Sequence, residues 1–386
     1  MNCELFIIHY SLFTIHYSLF TIHYSLFTVP CKLFTAPMKL SPLAQNPLEW
    51  LALKARLVPT PLAYSHFGFM MSKFLLEAVD KGIFEVIGNR KISLEEICSQ
   101  CKLETKPVKS LLGVLATMGL IKTVKDRFFL TAKSKKWILK DSPDSLYWLM
   151  MFDNRVCLKW MDYVGEFLKT GKGLQYHETL NEEEWMYYQK EMEATASATS
   201  KEAVRRIAVP ANATQVLDIG GSHGLYSVGL CKRNHAISAT ILDLPAAVEK
   251  AGPILAKYNM GNRVVHQPGN ILIDEIGEEK FDLIVMASVA HHFTVEENIL
   301  VAQKAYKALK PGGLFTILEV LRSDKITYNG DMLSALGDFF FALSSTSGTW
   351  SLQEIKDWQK QAGFTNLKKT TFLTIPGYAA ITGRKL

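Results

Sequence analysis

The sequence has no dense run of Lys and Arg, although its 386 residues carry a net charge of +6. The nearest groupings, at 133–140 and 201–206, are interpreted as solvated faces, because a nucleic-acid footprint needs positive charge gathered on one surface. We therefore expect no nucleic-acid partner.

Cysteine is also scarce, with six in the chain, and its spacing does not indicate a disulfide framework. Cys98 and Cys101 form a single Cys-x-x-Cys with no second pair and no neighbouring His, whereas structural zinc sites have four ligands. The second half of the sequence has no carboxylate cluster at ligand spacing, so we expect no metal. A reducing, cytoplasmic compartment fits this cysteine usage best.

Residues 1–37 contain the heptapeptide Ile-His-Tyr-Ser-Leu-Phe-Thr, which occurs three times without change from Ile8 to Thr28. A coiled coil is disfavoured because the charges that normally flank its apolar positions are missing. A strand is disfavoured because an odd period reverses the buried face at each copy. The polar residues argue against a membrane span, and a secretory signal lacks its basic start and cleavage site. We interpret 1–37 as a repetitive leader, disordered or not part of the native protein, translated from a DNA repeat upstream of a start at Met38.

Within a domain predicted over 45–140, residues from about 60 to 140 have the pattern helix, helix, helix, hairpin, which is typical of a winged helix. Helices are predicted over 67–86, from a capping-box pattern at Ser93, and over 106–118, and the hairpin turns at Lys125-Asp126. The third helix offers two lysines and is otherwise apolar or small. It therefore suits packing in a dimer better than reading DNA bases.

Residues 141–208 are predicted to be helical and are rich in aromatic residues and methionine. Most of these side chains suit a hydrophobic core, and some suit a pocket for a flat apolar ligand. We interpret this segment as linking helices that form part of a substrate pocket, with Trp160 and Met192 as candidate contacts.

From 209 to 386, short apolar runs alternate with helical stretches, and the chain closes with a hairpin around Pro376-Gly377. Strands that alternate with helices predict a parallel sheet covered on both faces, and the final hairpin adds one antiparallel strand. The predicted fold class is therefore α/β, a doubly wound sheet preceded by a mainly helical winged-helix domain.

The first predicted strand of this sheet ends in Asp218-Ile219-Gly220-Gly221-Ser222-His223-Gly224, and a helix follows. Glycines here allow a tight turn and close approach of a ligand, and ligands bind beyond the carboxyl ends of such strands. Alone, the turn also fits a nicotinamide dehydrogenase, another nucleotide binder or a turn with no ligand. Asp218 favours a cofactor with a cationic end. A dinucleotide would place its anionic pyrophosphate there, and a pyrophosphate prefers helix amides without a neighbouring acid.

Two later motifs narrow the choice of cofactor. The second strand ends in Asp243-Leu244-Pro245, 19 residues after Gly224, where a carboxylate can receive both ribose hydroxyls of a nucleoside. The alternative for Asp243 is that it merely caps the helix that opens at Pro245. Leu309-Lys310-Pro311-Gly312-Gly313 then precedes a strand predicted over 314–320.

Together these motifs resemble the class I S-adenosylmethionine-dependent methyltransferases, and more narrowly the acetylserotonin (hydroxyindole) O-methyltransferase-like family, over about residues 45–386. The resemblance implies a Rossmann-like seven-stranded sheet, S-adenosyl-L-methionine as cofactor, and a homodimer formed through the winged-helix domain. The residues that it assigns to the cofactor are Asp218, Gly220, Gly221 and Gly224 at the methionine end, Asp243 at the ribose, and Leu244, Asn270 and Ile271 at the adenine.

The sequence departs from the family pattern at Ser222, where a third glycine is usual, and at Asn270, where Asp is usual. It also has Ala287 where plant members often have Lys. None of these changes removes the ribose carboxylate, and Asn270 keeps hydrogen-bonding capacity. We therefore expect cofactor binding to be retained.

Methyl transfer to a phenol needs the acceptor oxygen held at near-attack distance and a base, because a phenol has a pKa of about 10. In the resembling family a histidine at the position of His291, after the strand predicted over 281–288, is this base. Glu319, at the end of the next strand, matches the glutamate that orients it. The second family glutamate falls near Thr349 and is absent. The alternative for His291 is that it caps or packs at the next helix.

Asp331 and the stretch 338–343 are expected to cover the acceptor pocket, with Asp331 and Phe340 as candidate contacts. The apolar character of the stretch favours a small aromatic or polyketide-like acceptor.

The predicted function is therefore an O-methyltransferase that transfers a methyl group to a hydroxyl of such a metabolite. A carbon or nitrogen methyltransferase, or a relative that has drifted to other chemistry, is the alternative. A winged-helix regulator that senses a metabolite would need a basic recognition helix, which the sequence lacks.

Overall fold

A computed structural model of the chain describes residue 44 and residues 46–327, 331–374 and 377–386. The prediction of a repetitive leader that ends before Met38 lies outside the described residues.

The N-terminal region is mainly helical and is closed by a β-hairpin. A short helix at Thr60–Leu62 and a π-helical turn at Ala63–Phe67 lead directly into its second helix. Its elements are α1 (Pro47–Lys54), α2 (Gly68–Asp80), α3 (Ile83–Ile87), α4 (Leu94–Cys101), α5 (Thr105–Thr117), β1 (Ile121–Val124) and β2 (Arg127–Leu130).

Local sequence explains where these elements begin and turn. Ser93 and Glu96 form the predicted capping box at the start of α4. Lys125 and Asp126 both have positive φ, 48° and 56°, which gives the tight β1–β2 hairpin a turn that follows the twist of the strands. The single helix predicted over 67–86 is wrong, because the chain turns between α2 and α3 at Gly82, whose φ is +73°.

The linking segment is helical as expected, but it is broken into several pieces. The π-helical turn Asp153–Cys157 lies between two of these helices, and such turns are frequent at functional sites. A capping box at Asn181 opens the longest helix. Helix α6 (Ala132–Trp137) precedes the linking segment, whose helices are α7 (Tyr147–Phe152), α8 (Leu158–Met161), α9 (Val164–Thr170) and α10 (Glu182–Arg206).

The C-terminal region is a sheet with helices on both faces. Its strands are β3 (Gln215–Ile219), β4 (Ser238–Asp243), β5 (Val264–Pro268), β6 (Phe281–Ala287), β7 (Leu309–Arg322), β8 (Trp350–Ser351), β9 (Thr365–Thr371) and β10 (Tyr378–Arg384). Its helices are α11 (Leu225–Arg233), α12 (Pro245–Ala256), α13 (Val295–Ala308), α14 (Met332–Ser344) and α15 (Leu352–Gln361).

The strand order is β5-β4-β3-β6-β7-β10-β9, and the two-residue β8 pairs with the end of β7. Strands β3 to β7 are parallel, and β10 runs antiparallel to both of its neighbours. The predicted doubly wound, seven-stranded sheet with one antiparallel strand is therefore confirmed. Strand β7 begins five residues earlier than predicted, because the backbone at Gly312 and Gly313 bonds to Lys385.

The sheet separates two apolar layers. Trp358 and Ala305 belong to the core on one face, whereas Val204 and Val228 belong to the core on the other. The chain leaves β3 towards β4 and β5 on one side and returns through β6 and β7 on the other. The strand order therefore reverses at β3, and the crevice beyond the carboxyl end of β3 is the expected ligand site of such a sheet.

Candidate active site

A cavity of about 270 Å³ lies beyond the carboxyl ends of β3 and β6, where it is also walled by α10 and α14. Seven of the predicted site residues line it: Trp160, Met192, Asp218, Gly220, Gly221, His291 and Phe340. The prediction that Asp331 contacts the acceptor is not supported by the described lining. Its carboxylate instead caps α14, where it accepts a hydrogen bond from the backbone N–H of Ser334 at 2.8 Å.

Asp218 is buried at the end of β3 and has one oxygen without a partner. The hydroxyl of Ser227 donates to Oδ2 at 2.7 Å, whereas Oδ1 has no hydrogen-bond partner among the described residues. Burial raises the pKa of Asp218 to about 7. A buried acceptor of this kind suits a cationic group that restores its charge.

The glycines after β3 are required by close packing as well as by backbone conformation. Gly220 and Gly224 have φ of +65° and +76°. A Cβ on Gly220 would lie 2.6 Å from a methyl group of Val289, and one on Gly221 would lie 2.5 Å from Cγ of Asp218. The loop therefore leaves no room for side chains at these positions, and its backbone faces the cavity.

Ser222, the departure from the glycine pattern, adopts a left-handed conformation with φ of +44°. Two hydrogen bonds hold it there. Its backbone N–H donates to Oδ2 of Asp243 at 2.8 Å, and its carbonyl accepts from Nε2 of His266 at 2.7 Å. These contacts offset the cost of positive φ in a residue with a side chain.

Asp243 accepts a second hydrogen bond at Oδ1, from the backbone N–H of Leu244 at 2.8 Å, and burial raises the pKa of its carboxyl group. Helix α12 has Leu244 at its N-cap and no side-chain cap, so the alternative that Asp243 merely caps this helix is wrong. Leu244 is 51% exposed, which leaves a flat apolar surface beside the carboxylate. Ile271 is buried in the neighbouring core, and Oδ1 of Asn270 accepts from the backbone N–H of Leu272 at 2.9 Å.

His291 and Glu319 form a buried pair in the wall of the cavity. Nδ1 of His291 lies 3.1 Å from Oε2 of Glu319, and both side chains are almost fully buried. The other oxygen of Glu319 accepts from the backbone N–H of Val320 at 3.0 Å. Because a carboxylate oxygen accepts, Nδ1 carries the proton and Nε2 keeps a lone pair. Strand β7 continues to Arg322, so Glu319 lies within the strand rather than at its end.

The turn Ala290–His292 that carries His291 is fixed by its neighbours. The carbonyl of Ala290 accepts from Nε1 of Trp350 at 2.8 Å and from Nδ2 of Asn298 at 3.0 Å. Thr294, not His291, caps α13 through a capping box. The alternative in which His291 serves as a helix cap is therefore wrong, and its imidazole faces the cavity instead.

His291 also packs between two rings. The ring of Phe341 lies 4.1 Å and the ring of His292 lies 4.2 Å from it, measured between centroids. Burial and the neighbouring imidazoles His291 and His177 hold the pKa of His292 well below its usual range. His292 is therefore neutral near pH 7 and acts as an aromatic neighbour.

At the position of the absent second glutamate, Thr349 donates two hydrogen bonds to a neighbouring carboxylate. Thr349 is buried, and its backbone N–H and its hydroxyl donate to Oδ1 of Asp338 at 2.9 and 2.7 Å. The sequence departure at Thr349 therefore leaves His291 with Glu319 as its acidic partner among the described residues.

Sequence reasoning missed several polar residues of the cavity. They include Asp153, Glu191, Tyr226 and Tyr378, whereas Tyr188 belongs to the aromatic segment from which pocket residues were expected. For α10 a signal existed, because five of its cavity residues recur at the spacing of one helix face. These five are Tyr188, Glu191, Met192, Thr195 and Thr199.

The residues at the ends of β3 and β4 fit S-adenosylmethionine. The carboxylate of Asp218, with one oxygen free of partners among the described residues, and the glycine loop suit its amino-acid end, and the carboxylate of Asp243 suits its ribose. The fold and these residues define a methyltransferase of the S-adenosylmethionine-binding class. Residues 164–365, more than half of the chain, match the O-methyltransferase domain family, and residues 64–140 match the O-methyltransferase dimerisation domain. The chain belongs to this O-methyltransferase family, and S-adenosyl-L-methionine is its cofactor.

Curated relatives and solved structures agree with this membership. The chain is 23% identical to an L-tyrosine C(3)-methyltransferase of Streptomyces lavendulae, over 78% of this chain and 86% of the relative. It is 22% identical to a 3-hydroxy-5-methyl-1-naphthoate 3-O-methyltransferase of Streptomyces sahachiroi, over 85% and 95% of the two chains. Human N-acetylserotonin methyltransferase in complex with S-adenosylmethionine has the same fold, with a TM-score of 0.75, 16% identity and coverage of 89% and 99%.

Family membership decides between several of the alternatives. It favours a methyltransferase over a nicotinamide dehydrogenase. It also identifies the hairpin-containing N-terminal region as a dimerisation domain rather than a DNA-binding domain.

In the part of the chain that the structure describes, no helix is long and apolar enough to cross a membrane.

Proposed function

We propose that the protein is an O-methyltransferase that methylates a hydroxyl group of a small aromatic or polyketide-like metabolite. The observation that carries the proposal is the buried His291–Glu319 pair, which faces a largely apolar cavity continuous with the cofactor loop. An oriented imidazole beside a bound phenol is what deprotonation of a hydroxyl requires.

The cofactor residues keep their predicted roles in this proposal. Asp218 receives the amino group of the cofactor, Gly220, Gly221 and Gly224 admit it to the loop, and Asp243 receives its ribose hydroxyls. Leu244 packs on adenine, and Asn270 and Ile271 flank it. When bound, S-adenosylmethionine would supply an electrophilic methyl group, with its carbon–sulfur bond breaking so that the sulfur keeps the electron pair and S-adenosylhomocysteine leaves.

The acceptor hydroxyl lies at Nε2 of His291. As the oxygen–carbon bond forms, the hydroxyl O–H bond breaks and its proton passes to Nε2. Glu319 keeps the proton of Nδ1 in place and stabilises the imidazolium that results. Burial excludes water from the pair, which strengthens the attraction between imidazolium and carboxylate.

The acceptor binds between the linking helices and α14. Trp160, Met192 and Phe340 line this part of the cavity and offer apolar surface to a flat ring. The names of the relatives support an aromatic acceptor, since one acts on a tyrosine and another on a naphthoate.

The assembly and the domain plan follow from the same proposal. Residues 45–140 form a winged-helix dimerisation domain, 141–208 link it to the pocket, and 209–386 form the methyltransferase domain. The enzyme acts as a cytoplasmic homodimer. The match of residues 64–140 to a dimerisation domain supports the dimer.

A carbon methyltransferase is the second candidate. The relative from Streptomyces lavendulae methylates C3 of tyrosine by its name, and deprotonation of a phenol also activates the carbon beside its hydroxyl. Incubation with methyl-labelled S-adenosylmethionine and a panel of phenols, followed by NMR of the products, separates the two. A methoxy signal supports the proposal, whereas a ring-bound methyl group overturns it in favour of the second candidate.

A further inference from the structure

The acceptor end of the cavity is lined by five aromatic side chains that contact one another, here called the aromatic cage. The rings of Trp160 and Tyr176 lie 5.0 Å apart, and those of Tyr176 and Tyr188 lie 5.4 Å apart, measured between centroids. Phe152 closes a second side at 5.6 Å from Trp160, and Phe340 lies 5.9 Å from the same ring. All five side chains line the cavity. Faces of this kind attract cations through their quadrupoles.

Two carboxylates face the same space. Glu191, on α10, is 8% exposed, and its Oε1 accepts from the hydroxyl of Thr195 at 2.8 Å. Asp153 begins the π-helical turn between α7 and α8. Both acidic residues line the cavity.

The protein supplies no cation to this carboxylate pair. Among the described residues that line the cavity, none is Lys or Arg. Burial raises the pKa of Asp153 to about 6 and that of Glu191 to about 7, and the charge of Asp153 adds to the shift of Glu191. Two such groups inside one apolar pocket cost stability unless a ligand satisfies them.

Other carboxylates of α10 are treated differently. Glu184 pairs with Lys159 at 2.5 Å, Glu193 with Lys257 at 3.0 Å, and Glu202 with Arg206 at 3.0 Å. Glu191 points inward instead, towards the cage. The amino group that Asp218 receives is the cofactor's own, and Asp218 lies on the cofactor loop after β3. The Asp153–Glu191 pair therefore still lacks a cationic partner.

We infer that Asp153, Glu191 and the aromatic cage form a subsite for a basic nitrogen of the acceptor, which makes the substrate an aromatic alcohol that carries an amine. The inference rests on the proposed function for the position of the hydroxyl, which lies at His291 in the same cavity. A cation in the cage gains both the ring faces and the carboxylates, whereas an acidic acceptor is repelled by them.

The test uses phenols that differ at one terminal group. Tyramine, 4-hydroxyphenylethanol and 4-hydroxyphenylacetate form one series, and serotonin, 5-hydroxytryptophol and 5-hydroxyindole-3-acetate form a second. Calorimetry in the presence of S-adenosylhomocysteine gives the affinity of each, and label transfer from S-adenosylmethionine gives kcat/KM. The amine of each series is expected to bind at least about tenfold more tightly than its alcohol, and the acid more weakly than either.

Variants identify the carboxylates responsible. Glu191→Gln and Asp153→Asn are expected to abolish the preference for the amine while the affinity for the alcohol changes less than about threefold. Glu193→Gln, the same change on the outer face of α10, serves as the matched control and keeps the preference. The inference is overturned if, in both series, the amine binds no more tightly than the alcohol. Absence of binding by either compound counts as the same outcome. Preferential binding of the amine without an O-methyl product supports the subsite and contradicts the proposed function instead.

Discussion

His291 and Glu319 are 28 residues apart in the chain, yet Nδ1 of the imidazole lies 3.1 Å from Oε2 of the carboxylate. Adjacent parallel strands bring them together, because His291 follows β6 and Glu319 lies on β7. The contact fixes the tautomer that a base needs and places Nε2 of His291 at the cavity.

Replacement of Glu319 by Gln is expected to lower kcat by about tenfold to a hundredfold and to leave KM within about threefold, because in the proposed mechanism the carboxylate acts through His291 as the imidazolium forms. Steady-state kinetics with an accepted phenol measure the effects on kcat and KM separately. Calorimetry checks that cofactor affinity is retained. An equal rise in KM with unchanged kcat would show that Glu319 shapes the pocket rather than positions the base.

Asp218→Asn is expected to lower cofactor affinity by at least about tenfold, because the buried carboxylate is the proposed partner of the cofactor's cationic amino group. Calorimetry with S-adenosylhomocysteine, which keeps that amino group, measures the loss. Gly252→Ala, on α12 where a Cβ meets nothing within 4 Å, serves as a control that keeps affinity.

The same variant tests the raised pKa of Asp218 in the cofactor-free protein. The folded protein holds a proton that the unfolded chain releases, so the wild type loses stability relative to Asp218→Asn as the pH rises from about 4 to about 7. The expected slope is at most about 1.4 kcal/mol per pH unit. Urea unfolding of both proteins across this range measures the difference, and parallel pH profiles would contradict the assignment.

Glu202 anchors α10 to the segment after β9. Its carboxylate accepts from the backbone N–H groups of Leu373 and Thr374 at 2.9 and 2.7 Å and from the hydroxyl of Thr374 at 2.7 Å. Burial opposes the charge, but these hydrogen bonds outweigh it and lower the pKa of Glu202 to about 2. The contribution is therefore present above the pKa of the unfolded chain and is lost as the pH falls towards 2.

Glu202→Ala is expected to lower the free energy of unfolding by about 2–4 kcal/mol at pH 7, because two backbone donors lose their partner. Glu193→Ala, which removes an ion pair nearer to the surface on the same helix, is expected to cost less than about 1 kcal/mol. Urea unfolding measures both, and equal effects of the two variants would contradict the role given to Glu202.

The proposed dimer accounts for the many exposed apolar side chains of the N-terminal region. The large side chains at least 40% exposed between residues 48 and 74 are Leu48, Trp50, Leu51, Leu57, Leu62, Tyr64, Phe67, Phe69, Met71 and Phe74. Such a patch is unusual on a monomer. Phe69→Glu is expected to weaken dimerisation, as measured by sedimentation, whereas Lys122→Glu on the hairpin is the control. A monomeric wild type would contradict the proposal.

The sequence predicted the parts of the site that are local. The glycines after β3 are dictated by backbone conformation and packing. Asp243 ends a predicted strand and His291 follows another, at positions where ligands bind. The distance between His291 and Glu319 could be expected because neighbouring strands end at the same edge of the sheet.

Other parts depend on tertiary contacts that no local pattern encodes. Asp153 reaches the cavity through a π-helical turn, whose register a regular helical spacing does not predict. Strand β7 is lengthened by pairing with the backbone at Lys385, at the far end of the sequence. Asp331 was placed in the pocket from its neighbourhood, whereas its carboxylate satisfies the start of α14.

The most direct test of the account compares wild type with His291→Ala in the transfer of label from methyl-labelled S-adenosylmethionine to a phenol that the wild type accepts. The account predicts that kcat falls by about a hundredfold or more while cofactor affinity is retained, because the hydroxyl loses its base. Equal labelling by both proteins would contradict it and would show that the enzyme acts by positioning its substrates alone.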